Sequence, residues 1–137
     1  MPNSFASVRL LVVDDFPEDR EQIADLAQSI GIETVLEAER SESALEEIRK
    51  GTVDCVMVDH RLDGEDGLDL VDEIHKHWPR LPIIVLSGQG NEKVAAAALR
   101  GGALRYMPKR GMDAGALRSA IDNAMRWARH FAARPSP

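Results

Sequence analysis

The stretch Leu-Leu-Val-Val-Asp-Asp (residues 10–15) joins a continuous apolar run to a pair of adjacent aspartates. The run Leu10–Val13 is too short for a helix and is typical of a strand that is buried on both faces. A second run, Val53–Val58, is apolar except for Asp54 and ends in the same way, at Asp59. Two buried strands that each end in carboxylates are therefore the starting point for predicting the fold and the site.

Strand-like and helix-like segments alternate five times along the chain. Apolar residues recur at helical spacing after each predicted strand, and glycines or prolines mark most of the breaks. Five strand–helix pairs with short connections predict an α/β fold, a doubly wound parallel sheet with helices on both faces. The predicted strands are Leu10–Val13, Thr34–Ala38, Val53–Val58, Ile83–Leu86 and Leu104–Met107, and the helices are expected to begin near Pro17, Ser41 or Ser43, Asp66, Asn91 and Asp113.

The polarity of the predicted strands indicates their order in the sheet. Strands that are buried on both faces are nearly continuous apolar runs, whereas edge strands tolerate polar residues. The second strand, with Glu33, Thr34 and Glu37 nearby, and the fifth, with Arg105 and Tyr106, are the more polar ones. They are expected at the edges, which favours the order 2-1-3-4-5. The alternative order 3-2-1-4-5 would place the apolar third strand at an edge.

The predicted order brings acidic side chains together. Ligands of such sheets bind beyond the carboxyl ends of the strands where the order reverses, here at Asp14, Asp15 and Asp59. Three neighbouring carboxylates repel one another, and Mg²⁺ both relieves that repulsion and prefers oxygen ligands together with a phosphate. Ser87 and Lys109, at the ends of the fourth and fifth strands, would supply a hydroxyl and an ammonium. The pattern predicts phosphoryl chemistry.

Four stretches together resemble the response-regulator receiver domain of two-component signalling. They are Leu-Val-Val-Asp-Asp (11–15), Met-Val-Asp-His-Arg-Leu (57–62) followed by Asp66–Gly67, Val-Leu-Ser-Gly-Gln-Gly (85–90) and Arg-Tyr-Met-Pro-Lys (105–109). The resemblance implies the flavodoxin-like (βα)5 receiver fold. We expect the domain to span residues 8–133, with residues 1–7 and 134–137 as short flexible termini.

The resemblance also implies a role for each residue of the predicted site. Asp59 would accept a phosphoryl group from a histidine kinase or a histidine phosphotransfer protein, and the acyl phosphate would hydrolyse by itself. Arg61 and Gln89, at the mouth of the pocket, are expected to tune that hydrolysis. The other implied roles are Mg²⁺ binding by Asp14, Asp15, Asp59 and the carbonyl of Arg61, catalysis by Ser87 and Lys109, and switching by Ser87 and Tyr106.

Two positions depart from the usual pattern of the family. A proline commonly follows the conserved lysine through a cis bond, but Arg110 follows Lys109 here and Pro108 precedes it. A cis bond before Arg110 would cost about 2.5–4 kcal/mol, so this loop is expected to take a different path. Asp63 stands where a proline is common in the loop after the phosphoacceptor.

Composition and charge exclude several classes of function. The net charge is −6, with 6 Lys/Arg against 17 Asp/Glu in residues 1–68 and 11 against 6 in residues 69–137. The acidic first half is unsuited to nucleic acid, and we expect neither export nor a membrane span. The single cysteine, Cys55, lies in an apolar run and is predicted to be buried and inert. A cytoplasmic location is expected.

The leading hypothesis is a stand-alone phosphorylation-controlled switch that is a monomer or weak homodimer. It would change the face formed by the fourth helix, fifth strand and fifth helix, and it would not be an enzyme beyond its own phosphotransfer and dephosphorylation. A receiver fragment of a larger regulator or hybrid kinase is an alternative. A receiver that acts unphosphorylated is a further one. A phosphoaspartate phosphatase fits less well, because such enzymes carry Asp-x-Asp rather than the adjacent Asp14–Asp15, and a larger body.

Overall fold

The computed structural model describes residues 5–88 and 91–133, with side chains described as far as Phe131. One five-stranded parallel sheet forms the centre, and the helices cover both of its faces. In chain order the elements are β1 (Arg9–Val13), α1 (Pro17–Ser29), β2 (Thr34–Ala38), α2 (Ser41–Arg49), β3 (Cys55–Asp59), β4 (Arg61–Leu62), β5 (Glu65–Asp66), α3 (Gly67–His77), β6 (Ile83–Ser87), α4 (Glu92–Arg100), β7 (Arg105–Pro108) and α5 (Ala114–Ala133).

The strand order of the sheet confirms the prediction from polarity. The order is β2-β1-β3-β6-β7, which is 2-1-3-4-5 when the five strands of this sheet are counted along the chain. All residues of β3 and β6 are buried, whereas the edge strands β2 and β7 keep partly exposed positions. The buried central strands are apolar because a polar side chain there would lie unpaired beneath a helix.

Alternate residues of the central strands enter two separate hydrophobic clusters. Leu10 and Val12 of β1 pack on the face covered by α1 and α5, whereas Leu11 and Val13 pack on the face covered by α2, α3 and α4. Each fully buried side chain of this size contributes about 1.5–3 kcal/mol. None of the helices within residues 5–88 and 91–133 is long and apolar enough to span a membrane.

The N-terminal segment is packed more closely than the sequence suggests. Residues 1–7 were expected to be flexible, but Phe5 is only 7% exposed and belongs to the hydrophobic cluster under α1 and α5. The amide of Val8 donates a hydrogen bond to the carbonyl of Phe5 at 3.0 Å. Burial of the Phe5 ring therefore extends the packed domain to residue 5. Residues 1–4 and 134–137 lie outside the described residues.

A short hairpin replaces the loop that was expected after Asp59. Strands β4 and β5 pair antiparallel, with Arg61 opposite Asp66, and Gly64 takes a positive φ of 74° in the turn. Asp63 is exposed in the same turn. The expected start of α3 near Asp66 is confirmed, and Asp66 is its N-cap, because the Asp66 carboxylate accepts a hydrogen bond from the amide of Leu68 at 2.9 Å. The hairpin returns the chain to the end of β3.

Gly67 is the residue that allows this return. A Cβ atom at Gly67 would overlap the carbonyl oxygen of Asp59 and lie 2.9 Å from the carbonyl carbon of His60. Backbone cannot move aside as a flexible side chain can, so we expect Gly67→Ala to lower the free energy of unfolding by about 1–3 kcal/mol or more. Urea denaturation followed by circular dichroism measures this.

Gly115 in α5 provides the matched control for that substitution. A Cβ there meets only a side-chain oxygen of Asp113 at 3.5 Å, an ordinary contact. Gly115→Ala should leave stability unchanged or raise it, because alanine is the better helix former. Equal unfolding midpoints for Gly67→Ala and the parent would contradict the packing described here.

Candidate functional site

Three carboxylates meet at the carboxyl edge of the sheet. Asp14 and Asp15 follow β1, and Asp59 is the last residue of β3. The two strands are parallel neighbours with Val13 opposite Val58, so both chain segments leave the sheet at the same point. One oxygen from each of the three carboxylates lies within 4.8 Å of the others, and Asp14 is completely buried. The convergence predicted from strand order is thus present.

Lys109 places its ammonium among these carboxylates. Its Nζ donates hydrogen bonds to the Oδ2 atoms of Asp14 at 2.9 Å, Asp59 at 2.8 Å and Asp19 at 2.6 Å. The amide of Lys109 also donates to the carbonyl of Ser87 at 2.6 Å, which attaches the loop to the end of β6. No cis peptide bond occurs among the described residues. The lysine therefore reaches the site without the proline that usually follows it.

The negative charge of the carboxylates in the site exceeds the positive charge of the Lys109 ammonium. Burial raises the pKa of Asp14, and hydrogen bonds from the amide of Phe16 and from Lys109 offset this only in part. Burial alone would lower the pKa of Lys109, but hydrogen bonds to Asp19, Asp59 and Asp14 outweigh it and raise that pKa, so the lysine stays charged. One ammonium thus faces several carboxylates. The oxygen donors and the excess negative charge fit a hard divalent cation such as Mg²⁺.

Ser87 completes one wall of an open cavity above Asp59. It is the last residue of β6 and is only 2% exposed. The cavity has a volume of about 380 Å³ and gives access to the carboxylate from solvent. Its lining residues are Asp59, His60, Arg61, Ser87, Gly88, Asn91 and Lys109. Hydroxyl, ammonium and carboxylate therefore border the same space.

Backbone contacts hold the two aspartate-bearing segments in place. The Asp14 carboxylate accepts a hydrogen bond from the amide of Phe16 at 3.0 Å, and the Asp59 carboxylate accepts one from the amide of Arg61 at 3.1 Å. Arg20 donates through Nη1 to the carbonyl of Asp14 at 2.7 Å and through Nε to Glu37 at 2.8 Å. Arg20 thereby ties the end of β1 to the edge strand β2.

Asp19 and Arg20 were both missed by the sequence reasoning. They lie in α1, which begins directly after the aspartate pair, and Asp19 follows Asp15 by four residues. Asp15 itself lies before the helix, so helical spacing does not relate the two side chains. The signal in the sequence is an acidic residue in the first turn of the helix that follows the aspartate pair, and acidic residues are common at that place in helices.

Comparisons with known proteins agree with this geometry. A family model described as the response regulator receiver domain matches residues 10–122. The chain belongs to this family. The receiver is 34% identical over 122 residues to the transcriptional regulatory protein GlrR of Escherichia coli K12, a stretch that covers 89% of this chain and 27% of GlrR. The predicted family and fold are confirmed, and the chain spans about a quarter of GlrR.

Two further relatives differ in how much of their length the receiver covers. It is 28% identical over 105 residues to the chemotaxis protein CheY-3 of Vibrio cholerae, covering 75% of this chain and 81% of CheY-3. The crystal structure of the receiver domain of NtrX from Brucella abortus is similar, with a TM-score of 0.79 and 34% identity, and the match covers 85% of this chain and 98% of that one. Receivers similar to this one thus occur both within longer regulators and as most of a small protein.

The remaining predicted site residues of this receiver are placed less centrally. Tyr106, on β7, is half-buried, and its hydroxyl accepts a hydrogen bond from the amide of Asn91 at 2.9 Å. The Arg61 side chain is exposed at the border of the cavity. Gln89 lies outside the described residues. The Cys55 thiol is buried, and burial raises its pKa to about 12, as expected of an inert cysteine.

Proposed function

We propose that this receiver is a phosphoacceptor switch of a two-component or phosphorelay system, in which Asp59 takes a phosphoryl group from a histidine kinase or a histidine phosphotransfer protein. The observation that carries the proposal is the position of the Asp59 carboxylate. It is nearly buried at the floor of an open cavity, 2.8 Å from the Lys109 ammonium and beside Ser87. A carboxylate that is held in this way is fixed, reachable and backed by positive charge.

The proposed reaction has two steps, transfer of the phosphoryl group to Asp59 and hydrolysis of the acyl phosphate. An oxygen of Asp59 attacks the phosphorus of a phosphohistidine, the P–N bond breaks, and its electron pair goes to the imidazole nitrogen. The acyl phosphate is later attacked at phosphorus by water, which releases inorganic phosphate and restores the Asp59 carboxylate. In both steps Lys109 stabilises negative charge on the phosphoryl oxygens. The domain thus acts only on its own phosphoryl group.

Asp14, Asp15, Asp59 and the carbonyl of Arg61 would hold Mg²⁺ in this scheme. The bound ion supplies positive charge against the transferred group, which is the chemistry that a cluster of carboxylates cannot provide. Asp14 and Asp15 would share the ion with Asp59, so that Asp59 would not be the sole carboxylate ligand of Mg²⁺. The excess of carboxylates over ammonium groups in the site supports this assignment.

Ser87 and Tyr106 would convert phosphorylation into a change of surface. Ser87 would donate a hydrogen bond to the phosphoryl group, and Tyr106 would turn toward the space beside it. The Tyr106 hydroxyl accepts a hydrogen bond from the amide of Asn91, and the Asn91 side chain caps α4 by accepting hydrogen bonds from the amides of Lys93 and Val94. Movement of the ring would release the start of α4, and with it the face formed by α4, β7 and α5.

The proposal also covers the cellular location and the oligomeric state of the domain. A cytoplasmic location fits its proposed kinase partners, and we propose a monomer or weak homodimer without direct contact to nucleic acid. Arg61, at the border of the cavity, remains a proposed rate-tuning residue. The same chemistry would serve a separate switch and a receiver that is part of a longer protein; the matched region is 27% of GlrR.

Labelling with a small phosphodonor tests the proposal. We expect incubation with acetyl phosphate and Mg²⁺ to add one phosphoryl group, detected by intact mass spectrometry and removed by hydroxylamine. Addition of EDTA should prevent the adduct, because no divalent ion then supplies positive charge against the transferred group. Absence of an adduct in the presence of Mg²⁺ would contradict the proposal, and sustained turnover of the donor would indicate a phosphatase instead.

A further inference from the structure

Asp19 makes the shortest of the three contacts with the Lys109 ammonium, at 2.6 Å. We propose that Asp19 is a positioning residue, an exchangeable partner that holds Lys109 in the resting receiver and gives it up to the incoming phosphoryl group. The inference rests on the proposed function of Asp59 and adds a residue to it. Asp19 would thereby set how tightly the site holds a phosphoryl group.

The number of hydrogen-bond donors on the lysine requires an exchange. A lysine ammonium has three N–H donors, and here they face three carboxylates, those of Asp14, Asp19 and Asp59. A phosphoryl oxygen on Asp59 can accept a hydrogen bond from Lys109 only when one of these contacts is given up. Binding of the phosphoryl group is therefore a competition for the ammonium.

Burial decides which carboxylate is released. The side chains of Asp14 and Asp59 are 0% and 9% exposed, whereas that of Asp19 is 32% exposed. A buried carboxylate that loses the ammonium keeps an uncompensated negative charge, whereas the partly exposed carboxylate of Asp19 can be hydrated by water instead. Asp19 also lies in the first turn of α1, where the amino end of the helix stabilises a negative charge. Release of Asp19 thus costs least.

The exchange has a consequence away from the site. Asp19 and Lys109 are 90 residues apart in the chain, and their contact joins α1 directly to the loop after β7. Both residues border a small cavity of about 70 Å³ together with Gln22 and Met112. Transfer of Lys109 to the phosphoryl group therefore removes a link between α1 and this loop.

Binding of beryllofluoride, an analogue of a carboxylate-bound phosphoryl group, tests the inference on the full chain. Isothermal titration at saturating Mg²⁺ should give a dissociation constant about three- to fivefold lower for Asp19→Asn and Asp19→Ala, the effect of removing one partly exposed competing ion pair. Glu18→Gln removes one charge from the same helical turn without a contact to Lys109. Its affinity should stay close to that of the parent.

The direction of the change in beryllofluoride affinity distinguishes a competing role of Asp19 from a merely structural one. A residue with a merely structural role would weaken binding or leave it unchanged, so equal or weaker binding by both Asp19 variants overturns the inference. An equal gain in affinity in Glu18→Gln also overturns the inference, because loss of any negative charge in this helical turn would then produce the same effect. If the parent itself binds no beryllofluoride, the proposed function of Asp59 fails and the inference fails with it.

Discussion

The Asp59→Asn variant is expected to take up no phosphoryl group under conditions in which the parent is labelled. The asparagine amide has nearly the shape of the carboxylate, but it is neutral and a poor nucleophile toward phosphorus. Its oxygen can still accept the hydrogen bond that Lys109 donates to Asp59 at 2.8 Å, so the surrounding site should keep its form. Intact mass spectrometry after incubation with acetyl phosphate and Mg²⁺ measures the loss.

Asp63→Asn is the matched control for this variant. Asp63 is an exposed aspartate in the hairpin turn, four residues after Asp59 and outside the carboxylate cluster. The Asp63→Asn variant should be labelled to the same extent as the parent. Retention of a hydroxylamine-sensitive adduct in Asp59→Asn would place the phosphoacceptor on a different carboxylate and contradict the mechanism.

The Lys109→Met variant is expected to be less stable than the parent by about 3 kcal/mol in metal-free buffer, the lower end of the cost of removing one partner from a buried ion pair. The Lys109 side chain is 15% exposed and is the ammonium in contact with Asp14, Asp19 and Asp59. Methionine fills a similar volume but leaves their charges uncompensated. Urea denaturation in EDTA measures the difference.

Mg²⁺ should restore much of this stability. The ion and the ammonium compensate the same carboxylate charge, so removing Lys109 should raise the affinity for Mg²⁺ and increase the stabilisation that the ion provides. Lys50→Met is the control, since Lys50 forms an exposed pair with Glu47, and its unfolding midpoint should hardly change. Equal stability of Lys109→Met and the parent in EDTA would show that the ammonium does not compensate the cluster.

The strand order and the three central carboxylates were determined by the sequence alone. Parallel strands that lie between two helical layers must be apolar, so the polarity of Thr34–Ala38 and Arg105–Tyr106 was enough to place both segments at the edges. Once the order was known, Asp14 and Asp59 had to end at the same edge of the sheet. Short-range patterns sufficed because strand geometry repeats from residue to residue.

Only the tertiary structure decided which partners complete the site. Lys109 meets Asp19 because α1 and the loop after β7 pack side by side, although 90 residues separate them in the chain. The hairpin after Asp59 and the burial of Phe5 likewise depend on surfaces that distant segments supply. The direction of a side chain across a packed interface is set by its neighbours there, and no local pattern in the sequence records those neighbours. The aspartates of the site could therefore be read from strand ends, whereas the carboxylate that competes for its lysine could not.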